Sequence, residues 1–186
     1  MALPKDVKKY LDKNMAKYEA VAHKTVYTAY DAAQTLRKEL KEIGKNLMIA
    51  TDNAYVIAVI PAHMRLDLGK LKKAIGTKKI TIPDEKMMVK VFKVKPGTIT
   101  AFGGLHKTEV WVDKSLLKTK EVILSAGNFT DSVRMKVKDF LELEKAKLAN
   151  FAQSGGYKLQ AKSKKPAKKV ARKKPAKKKG RSQKRK

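Results

Sequence analysis

Residues 158–186 read KLQAKSKKPAKKVARKKPAKKKGRSQKRK, in which 16 of 29 residues are Lys or Arg and none is acidic. Apart from alanine and proline, its apolar side chains are Leu159 and Val170. Such a segment cannot build a core, and its like charges repel, so it is expected to be a disordered tail. What folds must therefore fold within residues 1–157. The unit KKPAKK occurs around Pro166 and again around Pro175. Spaced prolines oppose compaction, and lysines meet phosphates as point charges. Histone tails share this composition. The reading that follows is a nucleic-acid tether, with Lys164, Lys165, Lys168, Lys169, Arg172, Lys173 and Lys174 as its RNA-binding residues. A solubilising tail or a nuclear address suits the same composition.

The whole chain carries 45 basic and 17 acidic residues, a net charge of +28. Without the 16 tail charges the body still holds 29 basic residues against 17 acidic, or +12. A polyanionic partner is implied for both parts. Cysteine is absent, which excludes disulfides, thiolate zinc sites and a cysteine nucleophile. The longest apolar stretches, such as Ala54–Ala62, are of strand length, well short of the ~20 residues that a bilayer needs. The N-terminal MALPKDVKKYLDK has no apolar signal-like region, so a cytoplasmic location is expected. His23, His63 and His106 share no ligand spacing, and neither a metal nor a cofactor is expected.

The body alternates hydrophobic periods. Helical spacing covers 6–18, with Val7, Tyr10, Leu11 and Met15 on one stripe, then 30–43 with Gly44 as the expected C-cap. Further helices are expected over 67–75, closed by Gly76, over 84–92, and over 138–150 as a closing helix. Strands are expected at 18–24, 45–51, 54–61, 79–83, 108–113, 121–125 and 133–137. Asp52-Asn53 reads as a hairpin turn. About seven strands with interspersed helices and hairpin junctions predict an α+β fold with a mixed, largely antiparallel sheet.

Two segments carry chemistry. Gly44-Lys45-Asn46 opens an apolar strand, where partial burial lowers a lysine's pKa and strengthens its ammonium toward a carbonyl or phosphate. Regular alternation puts Lys45 and Asn46 on opposite faces. A charged strand entrance with no role is the plainer reading. The run Pro96-Gly97-Thr98-Ile99-Thr100-Ala101-Phe102-Gly103-Gly104 is a glycine loop whose backbone N–H groups can approach a ligand, or simply a connector.

Taken in order, YEAVAHKTVYTAYDAAQ, GKNLMIAT, YVIAVIPAHMRLDLGKLKKAIGTKKI, PGTITAFGGL, EVWVDKSL and ILSAGNFTDSVRMKVKDFLEL resemble the YbaK-type aminoacyl-tRNA deacylases. That family includes the editing domain inserted in many prolyl-tRNA synthetases. The resemblance covers about residues 18–143. It implies a mixed sheet in a distorted barrel surrounded by helices. It places the family's catalytic lysine on Lys45 and the asparagine of the alanine-specific branch on Asn46. The family's glycine loop falls on Gly97 to Ala101, with Ala101 in place of a proline. The resemblance puts Gly97, Thr98, Ala101, Phe102, Gly103, Gly127 and Asn128 in the substrate site, with His23 and Thr28 on one wall. It implies trans-editing of mischarged tRNA, probed first with a small amino acid such as alanine on tRNA(Pro). An aminoacyl-tRNA synthetase is an implied partner. The competing reading is a non-catalytic RNA- or DNA-binding protein that retains the fold.

Overall fold

The structure is a computed structural model and describes residues 3–92, 94 and 97–155. The basic tail, with Lys164, Lys165, Lys168, Lys169, Arg172, Lys173 and Lys174, lies outside the described residues, as does Pro96.

Asp52-Asn53 turns the chain as expected, and Thr51 N–H donates to Ala54 O at 2.8 Å. Around it β2 (Gly44–Thr51) pairs antiparallel with β3 (Tyr55–Pro61), from Gly44↔Pro61 to Ala50↔Tyr55. Beyond β3 the central sheet continues with parallel β6 (Glu109–Asp113) and then parallel β9 (Lys147–Ala149). On the other edge of β2, β5 (Ile80–Thr81) pairs only with Ala50 and Thr51. A second sheet is antiparallel, in the order β1 (Glu19–Ala22), β8 (Asp131–Lys136), β7 (Glu121–Ser125). A short ribbon joins β4 (Met64–Leu66) to β10 (Ala152–Ser154). The class is the expected α+β with a mixed, largely antiparallel sheet arrangement.

The expected barrel is not closed. Among the described residues, the two larger sheets are joined by one isolated bridge, Ile43 to Ile123, and otherwise meet by packing. Gly44 makes this close approach possible. A Cβ there would lie 2.4 Å from Leu124 Cδ2 and 3.2 Å from Val122 Cγ2. Between the sheets lies one core, in which Met48, Ile57, Val59 and Val112 meet Val122, Leu124, Val133 and Phe140. The opposite face of the central sheet buries Ile49, Val56, Ala58, Ile60 and Trp111 against Leu71 and Phe151.

The helices are α1 (Lys5–Lys13), α2 (Ala29–Leu36), α3 (Leu68–Ile75), α4 (Glu85–Phe92) and α5 (Val137–Leu143). Helix α3 ends as expected at Gly76, which is left-handed at φ +77°. Three expected helices are shorter than their periodicity. Helix α1 ends at Lys13, so Met15, expected on its apolar stripe, lies beyond it at a left-handed φ of 52° and is exposed. Helix α2 stops at Arg37, which takes a left-handed φ of 52°, and a 3₁₀ turn follows at Leu40–Glu42. Lys38 N–H closes the helix end on Ala33 O (2.9 Å), and tertiary bonding holds the segment beyond it, where Ala62 N–H donates to both Leu40 O (3.1 Å) and Ile43 O (2.9 Å). Gly44 is therefore the first residue of β2 and not a helix cap.

The closing helix ends at Leu143, and the chain re-enters the sheets as β9 and β10. Phe151 is fully buried, and the Phe151 and Ala152 N–H groups both donate to the Asp113 carboxylate at 2.6 Å. Burial pushes that carboxyl up, but the Ser115 hydroxyl and these backbone donors outweigh it, and the net shift is downward. A buried acceptor with this many donors fixes the segment more firmly than a solvated helix turn does.

Candidate functional site

From Gly44 to Ile49 one edge of β2 has no ladder partner among the described residues, because β5 begins only at Ala50. Against that edge lies a cavity of about 370 Å³, closed by the start of α2, the segment 97–99, α4 and the second sheet. Its size falls in the lower part of the range for small-molecule pockets, roughly 300–1,000 Å³. Its apolar wall comes from Ala32, Ile43, Ala62 and Ile123, which form one packed cluster, together with Ile99, Met48 and Met88. Its polar groups are His23, Thr28, Lys45, Asn46, Ser125, Asn128 and Ser132. No carboxylate is among the described lining residues.

Lys45 and Asn46 both line this cavity. Alternation still holds along β2: Leu47 and Ile49 pack on one face and Met48 on the other. Both residues meet the cavity because it lies along the strand's open edge and not over one face. Lys45 is half-buried, and burial, followed by the nearby Arg65 guanidinium, holds its pKa below the ordinary 10.5. Arg65 sits on β4, and no periodic signal in MRL marks it as a neighbour of Lys45. The Asn46 amide is oriented, since its Nδ2 donates to Ile99 O at 3.2 Å. Its Oδ1 is buried and has no hydrogen-bond partner. A buried acceptor without a donor carries a desolvation penalty of about 1–3 kcal/mol.

The other expected residues divide into two sets. Thr28 lines the cavity and is the N-cap of α2: its hydroxyl accepts from Asp31 N–H, and the Asp31 carboxylate accepts from Thr28 N–H. His23 lines it with both ring nitrogens engaged. A carbonyl oxygen only accepts, so Nδ1–H donates to Lys24 O (2.9 Å), and in the neutral ring Nε2 accepts from Ser132 Oγ (2.9 Å). Gly97 forms part of the wall at φ +81°. Asn128 reaches the wall, but its amide is committed to the turn, with Nδ2 donating to Asp131 at 2.7 Å and Oδ1 accepting from Asp131 N–H at 2.7 Å.

Thr98, Ala101, Phe102, Gly103 and Gly127 are not among the lining residues. Ala101 and Phe102 are fully buried in the core between the sheets. Thr98 is buried beside them in sequence, and a Cβ on Gly103 would meet Thr108 O at 2.2 Å. Gly127 is left-handed at φ +94°, packed on Thr100. Ser132, Tyr27, Ala62 and Ile123 line the cavity without having stood out in sequence. For Ser132 no sequence signal existed, since its place at the cavity follows from the β1–β8 register, in which it pairs with Val21, and that register is not readable before the sheet is known.

Comparison with known proteins matches residues 23–143 to a family described as the aminoacyl-tRNA editing domain. The prolyl-tRNA editing protein ProX of Acetoanaerobium sticklandii is 25% identical over 142 residues, 73% of this chain and 87% of that protein. The proline–tRNA ligase of Macrococcus caseolyticus is 25% identical over 120 residues, 64% of this chain, and the chain spans only 21% of the ligase. Among solved structures, a candidate trans-editing enzyme for prolyl tRNA synthetase superposes with a TM-score of 0.73 at 21% identity. It covers 82% of this chain and 99% of its own, a likeness of fold.

Proposed function

The chain belongs to the aminoacyl-tRNA editing domain family and is an aminoacyl-tRNA deacylase, and we propose that it acts in trans on mischarged tRNA through Lys45. The observation that carries this reading is a half-buried Lys45, with Asn46 and its unpartnered Oδ1, lining one small cavity that has no carboxylate among its described lining residues.

An aminoacyl ester on a ribose is already activated, so no strong nucleophile is needed. Water adds to the ester carbonyl and the carbon–oxygen bond to the ribose breaks. A proton passes to the ribose oxygen, leaving a free amino acid and a tRNA with a free hydroxyl. Negative charge develops on the carbonyl oxygen, and the desolvated Lys45 ammonium stabilises it more than a hydrated one does. Asn46 Oδ1 accepts from the substrate's α-ammonium, which meets that atom's missing hydrogen bond and fixes the ester beside Lys45. His23, held at both nitrogens, keeps the wall in place.

The small side chains of Ala29, Ala32 and Ala62 in the wall support a small aminoacyl group such as alanine. One methylene is worth only about 1–3 kcal/mol in such a pocket, so discrimination by size is graded. The name of the ProX relative supports tRNA(Pro) as the carrier.

The test is hydrolysis of a panel of mischarged tRNAs by the full chain and by Lys45→Ala. The expected result is turnover of small-residue esters, a loss of about 10²–10³-fold in kcat for the variant, and unchanged affinity for uncharged tRNA. Full activity in the variant would refute the role of Lys45. RNA binding without turnover on any ester would point to a binding protein that retains the fold.

A further inference from the structure

Among the described aromatic side chains Tyr27 alone is exposed, at 69%. It lines the cavity mouth, immediately before the helix whose cap forms one wall. Its position is fixed on three sides. Val26 N–H donates to Phe129 O at 2.9 Å, Tyr27 N–H donates to the Asp31 carboxylate at 3.3 Å, and the ring rests on Phe129 with centroids 5.1 Å apart. One side of the ring is thus supported while most of its surface stays in water. An aromatic ring held this way gains little for the fold from its exposed area, yet is ready to stack at low entropic cost.

The chemistry of the substrate says what lies there. In a charged tRNA the ester and the terminal base hang from the same ribose, and that base is unpaired. With the ester at Lys45 inside the cavity, the ribose stands at the mouth and the base must lie on the surface around it. Lys24, three residues before Tyr27, is exposed and carries a charge that favours a phosphate backbone. The neighbouring Asp31 carboxylate is occupied by the Thr28 and Tyr27 N–H groups.

We propose that Tyr27, backed by Phe129, is the stacking platform for the terminal nucleobase of the RNA. The proposal rests on the reading of the cavity as an aminoacyl-ester site. It assigns Tyr27 to substrate binding and gives it no part in the bond cleavage. Stacking tolerates any base, so the platform holds the 3′ end without selecting the tRNA.

The test uses the full chain, Tyr27→Ala and Tyr27→Phe, with an uncharged RNA hairpin whose unpaired terminal base is 2-aminopurine. Stacking quenches that fluorophore. The expected result is quenching by the parent and by Tyr27→Phe and none by Tyr27→Ala. With charged tRNA, Tyr27→Ala should raise KM about tenfold, from the usual worth of one stacked base. Its kcat should be nearly unchanged, and Tyr27→Phe should restore KM. Equal quenching by Tyr27→Ala overturns the proposal. So does a Tyr27→Ala protein that loses only capture of a synthetase, which would make the ring a protein contact. Ester hydrolysis without Tyr27-dependent quenching removes the platform and leaves the deacylase reading intact. Tyr27-dependent quenching by a parent that hydrolyses no ester keeps the platform and removes that reading.

Discussion

Gly44→Ala tests how the packing of the two sheets holds the site. The added methyl would stand 2.4 Å from Leu124 Cδ2 and 3.2 Å from Val122 Cγ2, where carbon atoms in contact need about 3.5–4.0 Å. Both neighbours are fully buried, so neither has open space to move into. Gly44 is not at positive φ, so the effect is steric and not backbone strain. Overpacking of this kind costs about 1–3 kcal/mol. Loss of glycine's conformational freedom in the unfolded chain offsets roughly 0.5–1 kcal/mol of it. A net loss of about 1–2 kcal/mol lowers Tm by roughly 2–8 °C in a domain of this size. The displacement falls at the residue before Lys45 and Asn46, and a shift of about 1 Å can lower kcat/KM by as much as about 10²-fold. Thermal unfolding and single-turnover deacylation read the two effects. Leu124→Val removes the clashing Cδ2, so the double variant should be more stable than the two single losses sum to, by about 1 kcal/mol. A Gly44→Ala protein with parental Tm and kcat/KM would refute the reasoning.

Lys45 acts as an ammonium, so kcat/KM should fall as pH rises through its native pKa, giving an alkaline limb below the ordinary 10.5. Arg65→Met removes one cause of that lowering and should move the limb upward, read by deacylation across pH with enzyme-free hydrolysis subtracted. Asp113→Asn leaves at least one of the Phe151, Ala152 and Ser115 donors without an acceptor, for a loss of about 1–3 kcal/mol in urea unfolding. The carboxyl's native pKa is depressed, so its stabilisation is complete above the unfolded value and is lost as pH falls through the native one. The gap between parent and variant should therefore close in acid. Deleting residues 158–186 removes 16 positive charges. It should raise KM for charged tRNA, more at low salt than at high, with kcat retained, and equal KM values at low salt would reject a tethering role.

Local patterns stated part of this molecule plainly. Strand-length apolar runs on either side of Asp52-Asn53 specified the β2–β3 hairpin, and Gly76 closed α3 where left-handed backbone was needed. Lys45 stood out at the opening of an apolar strand, but a charged entrance without a role was the plainer reading there, and only the resemblance of the ordered segments around it pointed to a site. Patterns of 3.6 residues also ran through 30–43 and 138–150, where the chain is not continuously helical. In both places partners distant in sequence hold the chain in another form: Ala62 N–H takes the Leu40 and Ile43 carbonyls, and residues 147–149 pair with β6 as a strand.

The amino-acid order by itself determined which segments are apolar, which turns can form, and which lysine starts the strand. Tertiary structure alone decided that β5 stops at Ala50 and leaves the edge of β2 open, so that Lys45 and Asn46, on opposite faces, share one cavity. It also decided that Ala101 and Phe102 lie in the core while Ser132 and Tyr27 reach the site. The reason is physical: periodicity and turn chemistry act between near neighbours, whereas strand pairing, edge exposure and cavity walls arise from contacts between segments far apart in the chain.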